Sequence, residues 1–130
     1  MSYSSDRRFQ IWDYRVSHRQ LLLRSPRSPE VETNVDIHFW GVEFVGIPAM
    51  LEGLELQPAS RALASSTEQL TGKRREGVEV FEVKTQGRSG VVVAAGYKVV
   101  ENELDIFDSS LVDFGKAEMD RQPGRVLVHS

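Results

Sequence analysis

Gly90-Val91-Val92-Val93-Ala94-Ala95-Gly96-Tyr97-Lys98-Val99-Val100-Glu101-Asn102-Glu103-Leu104-Asp105-Ile106-Phe107 is the stretch that decides the fold class. Valine loses rotamer freedom in a helix and packs well on a pleated surface, so five valines among the ten residues from Val91 to Val100 argue for strand. A half-buried strand alternates apolar with polar residues, whereas this run is apolar on both faces until Lys98. It reads as a strand covered on both sides, or as one curving across a core. Gly90 and Gly96 fit a bulge or a close approach of neighbouring backbone. Asn102 tolerates positive φ and is expected to turn the chain back into Leu104 to Phe107, which makes Gly90 to Phe107 the central hairpin of an antiparallel sheet.

The flanking sequence continues in the same way. Val78 to Thr85 sets Phe81 and Val83 against Glu79, Glu82 and Lys84, and Gln86 to Gly90 is a glycine-rich hairpin loop. Thr33 to Trp40 alternates most cleanly, with Val35, Ile37 and Phe39 on the core side and Asn34, Asp36, His38 and Trp40 on the other. Phe9 to Val16 and Leu21 to Leu23 form an N-terminal hairpin around the polar turn Ser17 to Gln20. Ser25-Pro26-Arg27-Ser28-Pro29 is a loop, because its prolines remove ladder donors. Ile47-Pro48 is expected to start a short helical turn that Gly53 ends, with Leu54 to Leu56 a brief strand and Val126 to Val128 a terminal one. Residues 58–77 are thinly apolar and form a mobile or weakly helical excursion, and residues 1–8 a flexible arm. The expected architecture is mainly β: an antiparallel β-sandwich or a partly open β-barrel of about eight strands, with at most one or two short helices. Residues 9–130 make a single domain, since 130 residues at 40% hydrophobic content hold one core.

The absence of cysteine removes disulfide scaffolds, thiol nucleophiles and cysteine-ligated zinc. Met1 to Arg8 lacks the apolar core of a secretory signal, and no stretch approaches the roughly 20 apolar residues that span a bilayer. A cytoplasmic protein without a membrane partner is expected. The net charge is −3, spread unevenly: residues 1–30 carry an excess of three positive charges and residues 31–72 an excess of five negative ones. This balance falls short of a nucleic-acid binder, although arginines interleaved with Trp12 and Tyr14 would suit stacking on a single strand.

Three groups could carry chemistry or binding. Asp36 and His38 are two residues apart on one strand face, with Trp40 beside them, as a carboxylate orienting an imidazole would be. Arg15, His18 and Arg19 at the hairpin tip could converge on an anion. Trp12, Tyr14, Phe39, Trp40, Phe44 and Tyr97 form an aromatic set of the kind that lines an interface or a ligand pocket. No nucleophile lies beside Asp36 and His38, so that face is expected to be solvated. Gly41 offers a way to re-aim Trp40 through a bulge. The acids Glu101, Glu103, Asp105, Asp108 and Asp113 lack calcium-loop spacing and read as a solvated hairpin end, so no metal and no cofactor is expected. The expectation is a non-enzymatic protein-interaction or self-assembly module that binds another protein or its own copy as a homodimer. Its binding residues are Trp12, Tyr14, Arg15, His18, Arg19, Asp36, His38 and Trp40. The alternative is a small-molecule-binding β-barrel or a small hydrolase-like enzyme with an aromatic-lined pocket.

Overall fold

A computed structural model of the chain describes residues 2–105, 109, 111 and 124–130. In chain order the elements are β1 (Tyr3–Arg15), β2 (Gln20–Ser25), β3 (Asn34–Trp40), β4 (Phe44–Gly46), β5 (Met50–Pro58), helix α1 (Arg61–Thr71), β6 (Glu79–Thr85), β7 (Arg88–Ala94), β8 (Gly96–Asn102) and β9 (Arg125–His129). The strands form one antiparallel sheet in the order β4-β7-β6-β5-β1-β2-β3-β8-β9. The mainly β, antiparallel class expected from the sequence is therefore the observed one.

The valine run is one strand bent in its middle. Only Ala95 separates β7 from β8, and only Gly41 to Glu43 separate β3 from β4. β3 pairs with β8 from Asn34↔Asn102 to Trp40↔Gly96, and β4 pairs with β7 from Phe44↔Val93 to Gly46↔Val91. Two bent strands thus run side by side through both ladders. Following neighbours from β1 through β2, β3, the β8–β7 strand, β6 and β5 leads back to β1. The sheet is rolled into a partly open barrel, with β9 added beyond β8.

The bend explains why the run is apolar on both faces. Val92 and Ala94 point into the core, as do Tyr97 and Val99, so the alternation slips by one residue across the exposed Ala95. Val93 and Val100 occupy the other face and are buried as well. Inside the barrel Phe81 of β6 lies 6.2 Å from Phe39 and 5.2 Å from Tyr97, rings on strands to which it is not hydrogen-bonded. Phe9, Leu21, Leu23, Ile37, Leu51 and Leu56 complete this interior. The Tyr97 hydroxyl has no hydrogen-bond partner among the described residues, and burial raises its pKa above the ordinary value of 10.0.

Three expectations change, and the weakly helical excursion takes definite form. Of the expected flexible arm 1–8, Tyr3 to Arg8 belong to β1 instead, paired Tyr3↔Leu56 and Ser5↔Leu54, and the Arg7 guanidinium donates to Ser25 Oγ at 2.9 Å and to the Thr33 carbonyl at 2.7 Å. The central hairpin does not form at Asn102, because Asn102 ends β8 as a buried residue whose side chain is held by neighbours. Leu104 and Asp105 are not strand, and Ile106 and Phe107 lie outside the described residues. The helical turn after Pro48 is replaced by the nine-residue strand β5, in which Gly53 takes φ 74° opposite the register shift between Ser5 and Arg8. The 58–77 excursion contains a real helix, because Ser60 Oγ accepts from the Leu63 amide and Gly72 follows its last turn. Thr67 is its only buried residue.

Gly90 sits where β7 passes close to the end of β4. A Cβ there would stand 2.6 Å from the Gly46 carbonyl oxygen and 2.8 Å from Ile47 Cγ2. Gly90→Ala is expected to cost about 1–3 kcal/mol in urea unfolding, because the obstacle is backbone and cannot step aside.

Candidate functional site

The outer face of β2, β3 and β8 carries a cluster of buried polar and charged side chains. Residues that alternate with the core positions come into register there as Arg24↔Asp36↔Val100, Leu22↔His38↔Lys98 and Asn34↔Asn102. Facing away from the barrel does not mean facing solvent. Arg24, Asn34, Asp36 and His38 are 0% exposed, Lys98 5% and Asn102 4%.

Burial of charge demands pairing, and for Arg24 and Asp36 the geometry supplies it. The Arg24 guanidinium grips Asp36 with both arms of its fork, Nε to Oδ1 at 2.6 Å and Nη2 to Oδ2 at 2.9 Å. Asn102 Nδ2 donates to the same Oδ2 at 2.8 Å, and Asn34 Nδ2 donates to Asn102 Oδ1 at 2.9 Å. Asn34 Oδ1 in turn accepts the Arg27 amide, which ties the loop after β2 to the network. The Trp12 ring lies 5.3 Å from Arg24 Cζ and closes the layer from β1. Trp12 reaches that position because it is the extra residue of a bulge between Ile11↔Leu23 and Asp13↔Leu22. On the same side Asp13 accepts from Arg15 Nε at 3.1 Å and from Ser109 Oγ at 2.7 Å, and Leu111 is buried.

His38 is held neutral in this layer. Burial lowers its pKa from the ordinary 6.5 to about 4; Asp36 opposes that shift, while Lys98 and Arg24 reinforce it. The solvated face expected at Asp36 and His38 is therefore a buried one. Asp36 is committed to Arg24 and Asn102, and the imidazole has no surface through which to meet a substrate, as a general base must.

The remaining candidates lie towards one end of the barrel. The chain leaves β1 through a single 3-10 turn at Val16–His18 and re-enters at Arg19, whose φ of 54° is left-handed. Leu21↔Phe39 pairing sets Gln20 beside Trp40, so the β1–β2 tip and the end of β3 are neighbours. Tyr14 is 41% exposed and Val16 68%, and His18 and Arg19 are exposed beside them. Trp40 is half-buried: its ring lies over Gly96, where a Cβ would come within 2.5 Å, and 5.5 Å from the His129 ring. Arg15 turns to Asp13, and the His18 ring meets Ser17 Oγ at 3.0 Å.

Arg24, Asn34, Lys98 and Asn102 were not among the expected site residues. Their signal was a lone lysine inside the valine run and an arginine in phase with Leu22. Of the acidic group, Glu101 bonds Thr33 and Arg125, while Asp108 and Asp113 lie outside the described residues. Among the described residues no cluster of three His, Asp or Glu side chains could hold a metal ion, and no helix is long and apolar enough to cross a membrane.

No family model, curated protein or solved structure matches the chain.

Two outcomes follow from the buried layer. Asp36→Ala leaves the Arg24 guanidinium buried without its carboxylate and is expected to cost about 3–5 kcal/mol in urea unfolding. Arg24→Met combined with Asp36→Leu should recover part of that loss, because no bare charge remains. The second outcome concerns pH. Below 6.5 the unfolded chain protonates His38, while the folded chain refuses that proton until about pH 4. Stability contributed by neutral His38 is therefore present above pH 6.5 and falls between 6.5 and about 4, by about 3 kcal/mol in all. Thermal melts of the wild type and of His38→Gln across that window should diverge, the variant losing less stability as the pH drops.

Proposed function

We propose that the chain is a non-enzymatic interaction module that binds another protein through the barrel end formed by the β1–β2 tip and the close of β3. The observation that carries this reading is the exposure of Tyr14 and Val16, 41% and 68%, beside His18 and Arg19 on a turn anchored at both ends by strand. An aromatic, an aliphatic and a cationic group on a rigid projection have the composition of an interface centre, where Tyr and Arg are enriched. Trp40 and His129 extend that surface as a pair of rings tilted against each other, 5.5 Å apart.

The interior supports this reading over a ligand-binding barrel. Phe39, Phe81 and Tyr97 fill it with ring centroids 5.2 to 6.2 Å apart. A separate groove of about 660 Å³, lined by Ser4, Asp6, Leu54, Glu55, Lys84 and Gln86, is open rather than enclosed as ligand sites are. An enzymatic reading loses its main support because Asp36 and His38 are locked inside the polar layer.

The test is capture of partners from an extract of the source cells on immobilised full chain, compared with the double variant Tyr14→Ala, Val16→Asp. Both side chains are exposed, so the fold should survive, which circular dichroism would verify. A partner held through this tip is expected to bind at least about tenfold more weakly to the variant. A bound protein retained equally by both forms would place the contact elsewhere and overturn the reading.

A further inference from the structure

Six arginines lie within residues 1–30, and five of them are already engaged. Arg7 donates to Ser25 and Thr33, Arg8 pairs with Glu52, Arg15 with Asp13 and Arg24 with Asp36, and Arg27 donates to the Glu103 carbonyl. Arg19 is exposed, and its guanidinium has no partner among the described residues. The acids on the two segments that meet it are taken, Asp13 by Arg15 and Ser109, and Glu43 by Arg75. Its backbone, by contrast, is fixed. The Arg19 amide donates to the Val16 carbonyl at 3.1 Å and its carbonyl accepts from the Val42 amide at 3.0 Å, which ties the tip to the corner between β3 and β4. The φ of 54° is left-handed, a conformation that glycine adopts without steric penalty. An arginine there costs backbone strain that glycine would avoid, and such an outlier points to use of the side chain. Gln86 is the one other non-glycine residue of positive φ among those described, and it carries no charge.

We infer that Arg19 receives a carboxylate from an acidic peptide segment of the partner protein, an Asp or Glu flanked by apolar residues that lie on Tyr14 and Val16. The inference rests on the tip as the contact surface and adds the chemistry of what it contacts. A guanidinium on a pinned backbone, with no internal ion pair to break, offers its fork to a planar carboxylate at low ordering cost. Tyr14 and Val16, 41% and 68% exposed, would exclude water around such a pair once covered, which raises its contribution above that of an exposed ion pair. A nucleic-acid strand fits this tip less well. It needs several available cations along one face, whereas Arg15 is bound to Asp13 and residues 31–72 carry an excess of five negative charges.

Selection of a random-peptide phage library on the immobilised full chain should enrich peptides with Asp or Glu beside apolar residues. The most enriched peptide, synthesised and measured by fluorescence anisotropy, should bind Arg19→Gly at least about fivefold more weakly than the wild type. The urea midpoint of that variant should not fall, because relief of the left-handed strain offsets the added freedom of glycine in the unfolded chain. A purely structural role would lower binding and midpoint together. Changing the peptide's acid to its amide should weaken binding to the wild type by a similar factor and leave binding to Arg19→Gly unchanged, the coupling of a direct pair. The double variant Tyr14→Ala, Val16→Asp separates the two levels of the argument. A peptide that it still binds sits elsewhere, so the tip fails as a contact surface and the inference fails with it. A peptide lost to the double variant but indifferent to Arg19→Gly, or to loss of its own acid, leaves the tip standing and overturns the carboxylate. The inference is also overturned if no peptide is enriched, if the enriched peptides lack acids, or if a single-stranded oligothymidylate binds the tip more tightly than the selected peptide.

Discussion

The one-residue slip at Ala95 is the constraint on which the rest of the structure depends. A strand with a strict period of two would keep one face on the core for its whole length and would extend the sheet without rolling it. Val92 and Ala94 face inward before Ala95, and Tyr97 and Val99 face inward after it, so the strand turns a corner and serves two ladders. The partner strand turns with it at Gly41, whose φ of 61° is open to few other residues and whose missing side chain leaves room for Ala95. The Ala95 amide donates to the Trp40 carbonyl at 2.9 Å, so the corner is hydrogen-bonded as well as close-packed. Without this double bend β6 could not return to β5 and β1, and Phe81 could not meet Phe39 and Tyr97 across the interior.

Closing the sheet also creates a second buried face. The outer side of β2, β3 and β8 holds Arg24, Asp36, His38 and Lys98 beside Leu22 and Val100. Such a layer is weak evidence for stability, because desolvation of each ion offsets most of the attraction. Its geometry does resist error. Asp36 meets Arg24 and Asn102 only in the register Arg24↔Asp36 and Asn34↔Asn102, and a slip of one residue would send the carboxylate into the apolar interior. Here the polar layer fixes alignment while the aromatic interior supplies the driving force.

Much of this was legible in the sequence, and what was not follows a physical pattern. The alternation of Val35, Ile37 and Phe39, the β-branched run and the polar turn at Ser17 to Gln20 are local signals, and strand class and the first hairpin follow from them. The glycines at positions 90 and 96 were also readable as close approaches, and each stands where a Cβ would collide. Burial of the outer face was not readable, because Asp36 and His38 alternate just as solvated residues do. Their environment depends on long-range pairing with Arg24 and Asn102, from other strands. Tyr3 to Arg8 failed as an arm for the same reason: its polar residues gain order from β5 and from Arg7 contacts to Ser25 and Thr33, partners invisible to a local window.

Around this outer layer the distribution of side chains departs from the usual one. Charged groups that almost never lie fully buried do so in the outer layer, while Tyr14, Val16, Val126 and Leu127 stand in solvent. Single exposed apolar residues need no explanation, but these lie on the turn and the edge strand beside the layer whose charges pin the strands. β2 and β3 carry the network and also the tip that joins them to β1, and β8 carries both the network and β9. A scaffold held in one register by directional bonds presents those apolar groups in one geometry, which lowers the ordering cost that binding would otherwise incur. The buried charges and the exposed apolar residues are thus two consequences of the same rigid three-strand segment.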